Sequence, residues 1–405
     1  MINKLKAQTR SLAPSLPCNA AFCVRRRSSS SLPRHMEKQM GDDLITEILL
    51  RLPVKSLVRF KAVCKFWRSL ISDPQFATSH FERAALAPRL VFITPHGIRT
   101  VELEESLHPD HISEPIDYDF SSPHDDYNFK NPCPSILGSC RGFLLMRCDR
   151  GTSLYLWNPS THVHKPIPLS LVDDTNVINH AYGFGYHSSK DDYLVVRVSI
   201  TETSLSDVQF FSFRANMWKY AESVDFPSSF TSTSTQGVDL PTFTNIELCV
   251  GLLFNEAIHW VGSNWVAGRT TFFIIAFDLM EKRLLEIPRP VDLYAHDFLC
   301  FTLWVHRGFF SLSVVRRDTI EIWVMKKYKV QSSWAKTLVI SLNHLYPLCS
   351  TKGGDIVMLS GLKLTKYSDE GVQGEQQLEC INFGTLNSAV PLYTESMLSL
   401  PDVCY

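Results

Sequence analysis

Cysteine, histidine and paired carboxylates are the residues of this 405-residue chain whose types could support covalent or metal chemistry. Cys140, in Ser139-Cys140-Arg141-Gly142, would need a histidine base to act as a thiolate nucleophile, and His96 lies upstream of it. The string runs straight into the apolar stretch Phe143 to Met146, which reads as a strand, so a buried structural thiol is expected. His162 and His164 alternate and could offer two imidazoles to zinc from one face of a strand, but no cysteine or carboxylate stands at ligand spacing beside them. No metal and no other cofactor is expected. His108-Pro109-Asp110-His111 reads as a surface loop pair. His259 adjoins Trp260 in a strand and is expected to hydrogen-bond in the core rather than transfer protons. The pairs Asp191-Asp192 and Asp42-Asp43 are explained by a turn and by a helix N-terminus. There is no Walker phosphate loop, and Gly183-Phe184-Gly185 introduces strands instead of a helix. No catalytic residue is assigned, and the chain reads as a non-enzyme.

The elements around these residues fall into two kinds. Residues 41–84 carry helical spacing. Asp42 reads as an N-cap, and Leu44, Ile45, Ile48, Leu49 and Leu52 make a wide apolar stripe. Pro53 should stop that helix. A second helix places Leu57, Phe60 and Val63 opposite Lys55, Arg59 and Lys61. A third carries Phe66, Trp67, Leu70 and Ile71, and Asp73-Pro74 should end it. Three helices in so few residues carry more apolar surface than they can hide, and such a surplus usually belongs to a partner.

The string resembles the F-box in the form common in plants. The residues that carry the resemblance are Asp42-Asp43-Leu44-Ile45, Glu47-Ile48-Leu49, Arg51-Leu52-Pro53-Val54-Lys55-Ser56-Leu57, Arg59-Phe60-Lys61, Val63-Cys64-Lys65, Trp67-Arg68 and Leu70 to Phe76. Where the family usually opens Leu-Pro-Asp-Asp, this chain has Met40-Gly41-Asp42-Asp43, which should loosen the start of the helix. The resemblance implies docking on the Skp-type adaptor of a cullin-RING ubiquitin ligase, and through it partnership with the cullin and RING subunits. Leu44, Ile45, Ile48, Leu49, Leu52, Pro53, Val63, Cys64 and Trp67 are the expected adaptor-binding residues.

From about residue 88 the period changes to short β-branched and aromatic runs separated by turns. Leu156-Trp157-Asn158-Pro159, Tyr182-Gly183-Phe184-Gly185-Tyr186, Asp192 to Val196, Ala257-Ile258-His259-Trp260, Phe277-Asp278-Leu279 and Ile322-Trp323-Val324-Met325 recur in similar units. A single sheet of this kind cannot bury both faces, whereas radial repetition does. The expectation is an α+β chain: a small three-helix F-box, then an all-β propeller of about six blades. The units also resemble the plant F-box-associated interaction region, a relative of kelch-type propellers, which implies target recognition. The domains are then a disordered basic extension at 1–40, the F-box at 41–84, the propeller at 88–390 and a C-terminal tail at 391–405.

Bulk properties narrow the partners. Hydrophobic residues make up 45% and charged residues 20%, as in an ordinary soluble protein, and a formal net charge of −1 argues against nucleic-acid binding. No apolar run reaches membrane-span length. Eleven irregularly spaced cysteines suit free thiols in a reducing compartment. Residues 1–36 hold seven Lys or Arg and no acid, the composition of a transit peptide, of a basic tail, or of sequence upstream of a start at Met36. The latter two are preferred, because adaptor docking is useful only where the ligase is, in the cytoplasm and/or nucleus. Recognition should fall to loops. Thr100 to Phe129 has no Lys or Arg and nine acids, and Glu104, Glu105, Asp117, Asp119, Asp125 and Asp126 are expected to form an acidic lip facing a basic target. The expected function is that of the substrate-recognition subunit of an SCF-type ligase. The alternatives are a carbohydrate-binding or enzymatic propeller with a helical cap, and an F-box receptor acting outside a ligase.

Overall fold

Short apolar runs joined by residues that accept left-handed backbone fold into hairpins, and one small sheet of hairpins leaves a face uncovered. In the computed structural model this is resolved by six sheets arranged as propeller blades, antiparallel except where Ser223–Val224 pairs in parallel with Arg283 and Leu284. The structure describes residues 34–401 apart from 86, 95–96, 104–111, 118–133, 149–152, 171–176, 178, 201–204, 222, 225–241, 246–249, 267–268, 292, 294–297, 342–345, 361–362, 368–375 and 380–389.

The first blade holds Arg89–Thr94 and Gly97–Glu102, with Leu392–Tyr393 as its third strand. The second holds Ser135–Cys140, Phe143–Cys148, Ser153–Asn158 and Val163–Ile167. The third holds Asn179–His187, Asp192–Ile200, Leu205–Ser212 and Met217–Tyr220. The fourth is built on Leu252–Phe254, Ala257–Val266, Arg269–Asp278 and Arg283–Ile287, with Ser223–Val224 and Thr242–Asn245 paired onto it. The fifth holds Phe298–His306, Phe309–Arg316, Ile320–Met325 and Trp334–Ile340. The sixth holds Tyr346–Ser350, Ile356–Ser360, Lys363–Tyr367 and Gln376–Glu379.

The core lies in the seams between neighbouring blades. Val91 and Ile93 meet Ile136 and Met146 between the first and second blades, and Leu145 and Leu156 meet Tyr193 and Phe211 between the second and third. Val196 and Phe210 meet Trp260 and Phe277 in the next seam. Ile274 meets Phe310 and Leu312, and Ile322 meets Ile356 and Met358. Leu90 and Phe92 meet Val357 and Leu364, so the sixth blade returns to the first and the ring closes. Indole N–H groups tie blade to blade: Trp260 Nε1 donates to Tyr182 O at 3.0 Å, Trp218 Nε1 to Pro168 O at 2.6 Å and Trp334 Nε1 to Pro288 O at 2.7 Å.

The two ends of the ring differ. In blades two to five the first hairpin turns on left-handed residues: Arg141 and Gly142, Asp191, Asn255 and Glu256, Arg307 and Gly308. The last hairpins turn at His162, Asn216, Lys282 and Lys329, on the same end. Two adjacent left-handed residues make the turn that matches strand twist. Gly142 is needed beyond its φ of 82°, because a Cβ there would lie 2.0 Å from the Ser396 Cβ. This end is therefore built of tight turns, and the opposite end carries the longer connections.

Four helices precede the blades: α1 (Arg34–Leu49), α2 (Val54–Phe60), α3 (Lys65–Ile71) and α4 (Pro74–Ala84). Three expectations are corrected here. Asp42 is not an N-cap but lies inside α1, where its carbonyl accepts from Thr46 Oγ1 at 2.8 Å. The good helix formers of Met36-Glu37-Lys38-Gln39-Met40 carry the helix back to Arg34, past Gly41, so residues 34–40 do not belong to an unstructured extension. Asp73-Pro74 does not only end α3. Asp73 Oδ1 accepts from Gln75 N at 2.8 Å and Phe76 N at 3.1 Å, and Pro74 occupies the first turn, which starts a fourth helix.

A fourth correction concerns residues 391–405, read from sequence as a tail beyond the propeller. Leu392 and Tyr393 pair with Leu90 and Arg89, and Val91 N donates to Pro391 O at 3.1 Å. Residues 394–401 then cross the turn end as a strap. The Asn158 amide donates to Ser396 O at 2.9 Å, and Leu398 and Leu400 pack on the second seam.

Candidate functional site

The surface that requires an explanation is on the helices. In α2, Val54 and Leu57 are buried, and in α3 Ile71 is. Phe60 and Trp67 join the two helices edge-to-face at 5.2 Å between ring centroids. Cys64 has extended backbone and caps α3, its Sγ accepting from Trp67 N at 3.4 Å. Pro53 occupies the N-cap position of α2 rather than simply terminating α1. His80 of α4, itself buried, hydrogen-bonds Leu52 O at 2.8 Å through Nε2.

With their own core satisfied, these helices still leave apolar side chains in solvent. Ile48 is 60% exposed and Val63 59%. Pro53 and Cys64 are exposed too, and Leu52 and Trp67 are half-buried. On α1, Leu44 is exposed one turn before Ile48, and Ile45 is half-buried. Leu49 is corrected: at 1% exposure it is a core residue, and its side chain has no surface left to offer. Phe66 and Val58 are exposed and were not assigned to docking. Val58 had a signal, because it is an apolar residue on the Lys55–Arg59 side of α2.

Two clamps hold the helices to the turn end. Glu395 of the strap accepts from Val54 N, in the first turn of α2, at 3.3 Å and from Arg89 Nη1 at 2.6 Å. Arg89 Nη2 donates to Glu102 at 2.6 Å. The second clamp is Arg141, whose guanidinium carbon lies 5.3 Å from the Phe81 ring of α4 and 4.2 Å from the Tyr186 ring of the third blade. A guanidinium stacked between two rings is a directional contact that a lysine would not reproduce.

Two matches to family models bear on this arrangement. Residues 38–78 match the F-box domain, and residues 99–359 match the F-box associated beta propeller domain. The chain belongs to the F-box-associated propeller family. Its relatives include the F-box/kelch-repeat protein At3g23880 of Arabidopsis thaliana, 29% identical over 74% of this chain and 78% of that protein. The F-box protein CPR1 of the same plant is 28% identical over 78% of each. The helices are thus an F-box and the six blades an F-box-associated propeller.

The residues with chemical potential in the propeller have structural duties. Burial pushes the Cys140 thiol up to about 12. His162 and His164 are exposed, and among the described residues no three His, Cys, Asp or Glu gather as a metal site. Asp191 accepts from Tyr186 OH at 2.7 Å, and the buried Asp192 accepts from Ser212 Oγ and from Arg214 N. His259 is fully buried; Nδ1 meets Leu252 O at 3.2 Å and Nε2 meets Tyr328 OH at 2.7 Å. A carbonyl can only accept, so Nδ1 carries the proton and Nε2 accepts from the phenol. Burial lowers the His259 pKa from 6.5 to about 4.

That shift has a measurable consequence. The unfolded chain binds more protons than the folded one between pH 4 and 6.5, so stability rises with pH there. The contribution is fully present above 6.5 and is lost as pH falls towards 4, to the extent of about 3 kcal/mol. Urea midpoints at pH 7.5 and 4.5 will show this slope in the parent chain, and a His259→Gln chain will lack it.

Of the six acids expected to form an acidic lip, one, Asp117, lies among the described residues. Val101 bridges Ile112 and Ile98 bridges Ile116, so the described segment 112–117 runs alongside Gly97–Glu102. Asp117 ends this segment and is exposed. Glu104, Glu105, Asp119, Asp125 and Asp126 lie outside the described residues.

Proposed function

We propose that this chain is the substrate-recognition subunit of a cullin-RING ubiquitin ligase. The observation that carries the reading is the row of exposed apolar residues, Ile48, Pro53, Val63 and Phe66, on helices that match the F-box and are themselves clamped to a closed propeller. Leu44, Ile45, Leu52, Cys64 and Trp67 complete the adaptor-facing set, and Val58 is added to it. The F-box implies a Skp-type adaptor, which links the chain to cullin and RING subunits. The propeller's loop end holds the target protein, with Asp117 among the residues that contact it. The gain to the reaction is proximity between a target lysine and a ubiquitin-charged enzyme, with the bond-making groups supplied by other subunits. The work is done where the ligase is, in the cytoplasm and/or nucleus.

Co-expression of the full chain with a Skp-type adaptor tests the reading. An equimolar complex that stays together through size-exclusion chromatography is expected. Separate elution of the two at micromolar concentration would remove the ligase assignment. Affinity purification after proteasome inhibition would then recover ubiquitinated targets.

A further inference from the structure

The turn end carries a second chemical feature, away from the helices. It lies at the mouth of the seam between the third and fourth blades. We propose that this mouth binds a phosphate group through Lys190, Lys219 and Lys282, with His187 as a donor from below.

Register sets the positions. His187 ends the innermost strand of the third blade and pairs with Asp192. Lys190 follows in the short 3-10 turn Ser188–Lys190. Lys219 lies on the outer strand opposite Phe210, whose ring belongs to the seam with the fourth blade. Lys282 reaches across from the last turn of the fourth blade, its Nζ 5.3 Å from the Phe210 ring centroid. The charges of Lys190 and Lys219 act on the Lys282 ammonium, so the three side chains approach one another at the mouth. Ammonium groups are donors only, so such an approach needs an acceptor between them.

The charge of Asp192 acts on Lys282, but the nearby carboxylates have other hydrogen-bond partners. Asp192 is taken by Ser212 Oγ and Arg214 N, Glu256 by Ser188 Oγ, Glu281 by Arg283, and Asp278 by the backbone N–H groups of Met280 and Glu281. Among the described residues none of the three lysines has an ion pair. Beneath them His187 is 1% exposed, and its Nε2 is buried with no partner. An unpaired buried polar atom is costly and calls for a ligand. The charges that act on this imidazole are those of Lys282, Lys190 and Asp192. Burial followed by Lys190 depresses the Lys282 pKa, and burial followed by Lys282 depresses that of His187, so the cluster holds positive charge at a cost that an anion would relieve. A tetrahedral oxyanion can accept from several such donors at once. The site is independent of adaptor docking.

Inorganic phosphate and pyrophosphate are the probes, titrated calorimetrically into the full chain at constant ionic strength set with chloride. Binding is expected, together with a shift of the His187 signal in a 15N-histidine spectrum. In the double variant Lys190→Ser/Lys282→Asn affinity should fall by about tenfold or more, as loss of two charge-assisted bonds implies. Asn keeps the left-handed turn at position 282, where φ is 54°. Lys326→Ser/Lys327→Ser, two lysines on the fifth blade, should bind as the parent does. A phosphoserine peptide that binds well above inorganic phosphate identifies a phosphorylated protein as the source, and equal binding identifies the free anion. No binding beyond chloride, an unmoved His187 signal, or equal loss in both double variants overturns the proposal.

Discussion

Replacing Ile48 and Val63 together with glutamate is expected to weaken adaptor binding by about 100-fold or more while leaving the fold intact. Both side chains are about three-fifths exposed in the free chain, so the substitutions remove little internal packing. Surface changes of this kind usually move stability by no more than about 0.5 kcal/mol. At an interface the same side chains would be desolvated. Truncating a central anchor typically costs about 2 kcal/mol or more, and a buried unpaired carboxylate adds to that. Leu57→Ala is the informative contrast. Leu57 is fully buried in α2, so its loss should cost about 2–5 kcal/mol of stability. Calorimetry with purified adaptor, alongside thermal midpoints, separates the two effects. If Ile48→Glu/Val63→Glu binds the adaptor normally, the exposed row has some other purpose and the ligase reading fails.

The contrast also shows where sequence reasoning reached and where it stopped. The blades could be read because each repeats a period-two run between turns, and strings such as Tyr182 to Tyr186 and Ala257 to Trp260 lie on strands. The docking helices could be read because their surplus of apolar residues is a local property. Leu49 could not be separated from Ile48 in that way, since neighbours on one stripe differ only in what tertiary packing covers. Asp73-Pro74 was ambiguous for a physical reason: the same dipeptide that ends one helix caps the next. The Arg141 clamp had no local signal at all. Its partners, Phe81 and Tyr186, are brought to it by the order of blades around the ring.

The closure strand is the extreme case, and it carries the largest expected effect on stability. A two-residue strand has no periodicity to detect, yet Leu392–Tyr393 pairs with the first blade and places Tyr393, 2% exposed, in the first seam. Deleting residues 391–405 would leave Arg89–Thr94 as an unpaired edge and remove the Tyr393 OH bond to Ser160 at 2.6 Å. It would also remove Glu395, which ties Arg89 to the N-terminus of α2, and the Ser396 carbonyl that satisfies the buried Asn158 amide. Loss of one large aromatic from a core costs about 3–5 kcal/mol, and each orphaned buried polar group adds about 1–3 kcal/mol. Their sum is comparable with the whole stability of a typical domain. The truncated chain is therefore expected to open between its first and second blades and to aggregate through the freed edge. A shorter deletion ending at Ser396 separates the terms. With 397–405 absent the ring pairing, the Glu395 clamp and the Asn158 bond remain, while the Leu398 and Leu400 contacts with the second seam and the Leu398 N–H bond to Ser396 Oγ are lost. That chain should stay folded with a lowered midpoint in urea. A ring that keeps its full urea midpoint without residues 391–405 would show that the seam between the sixth and first blades closes the propeller unaided.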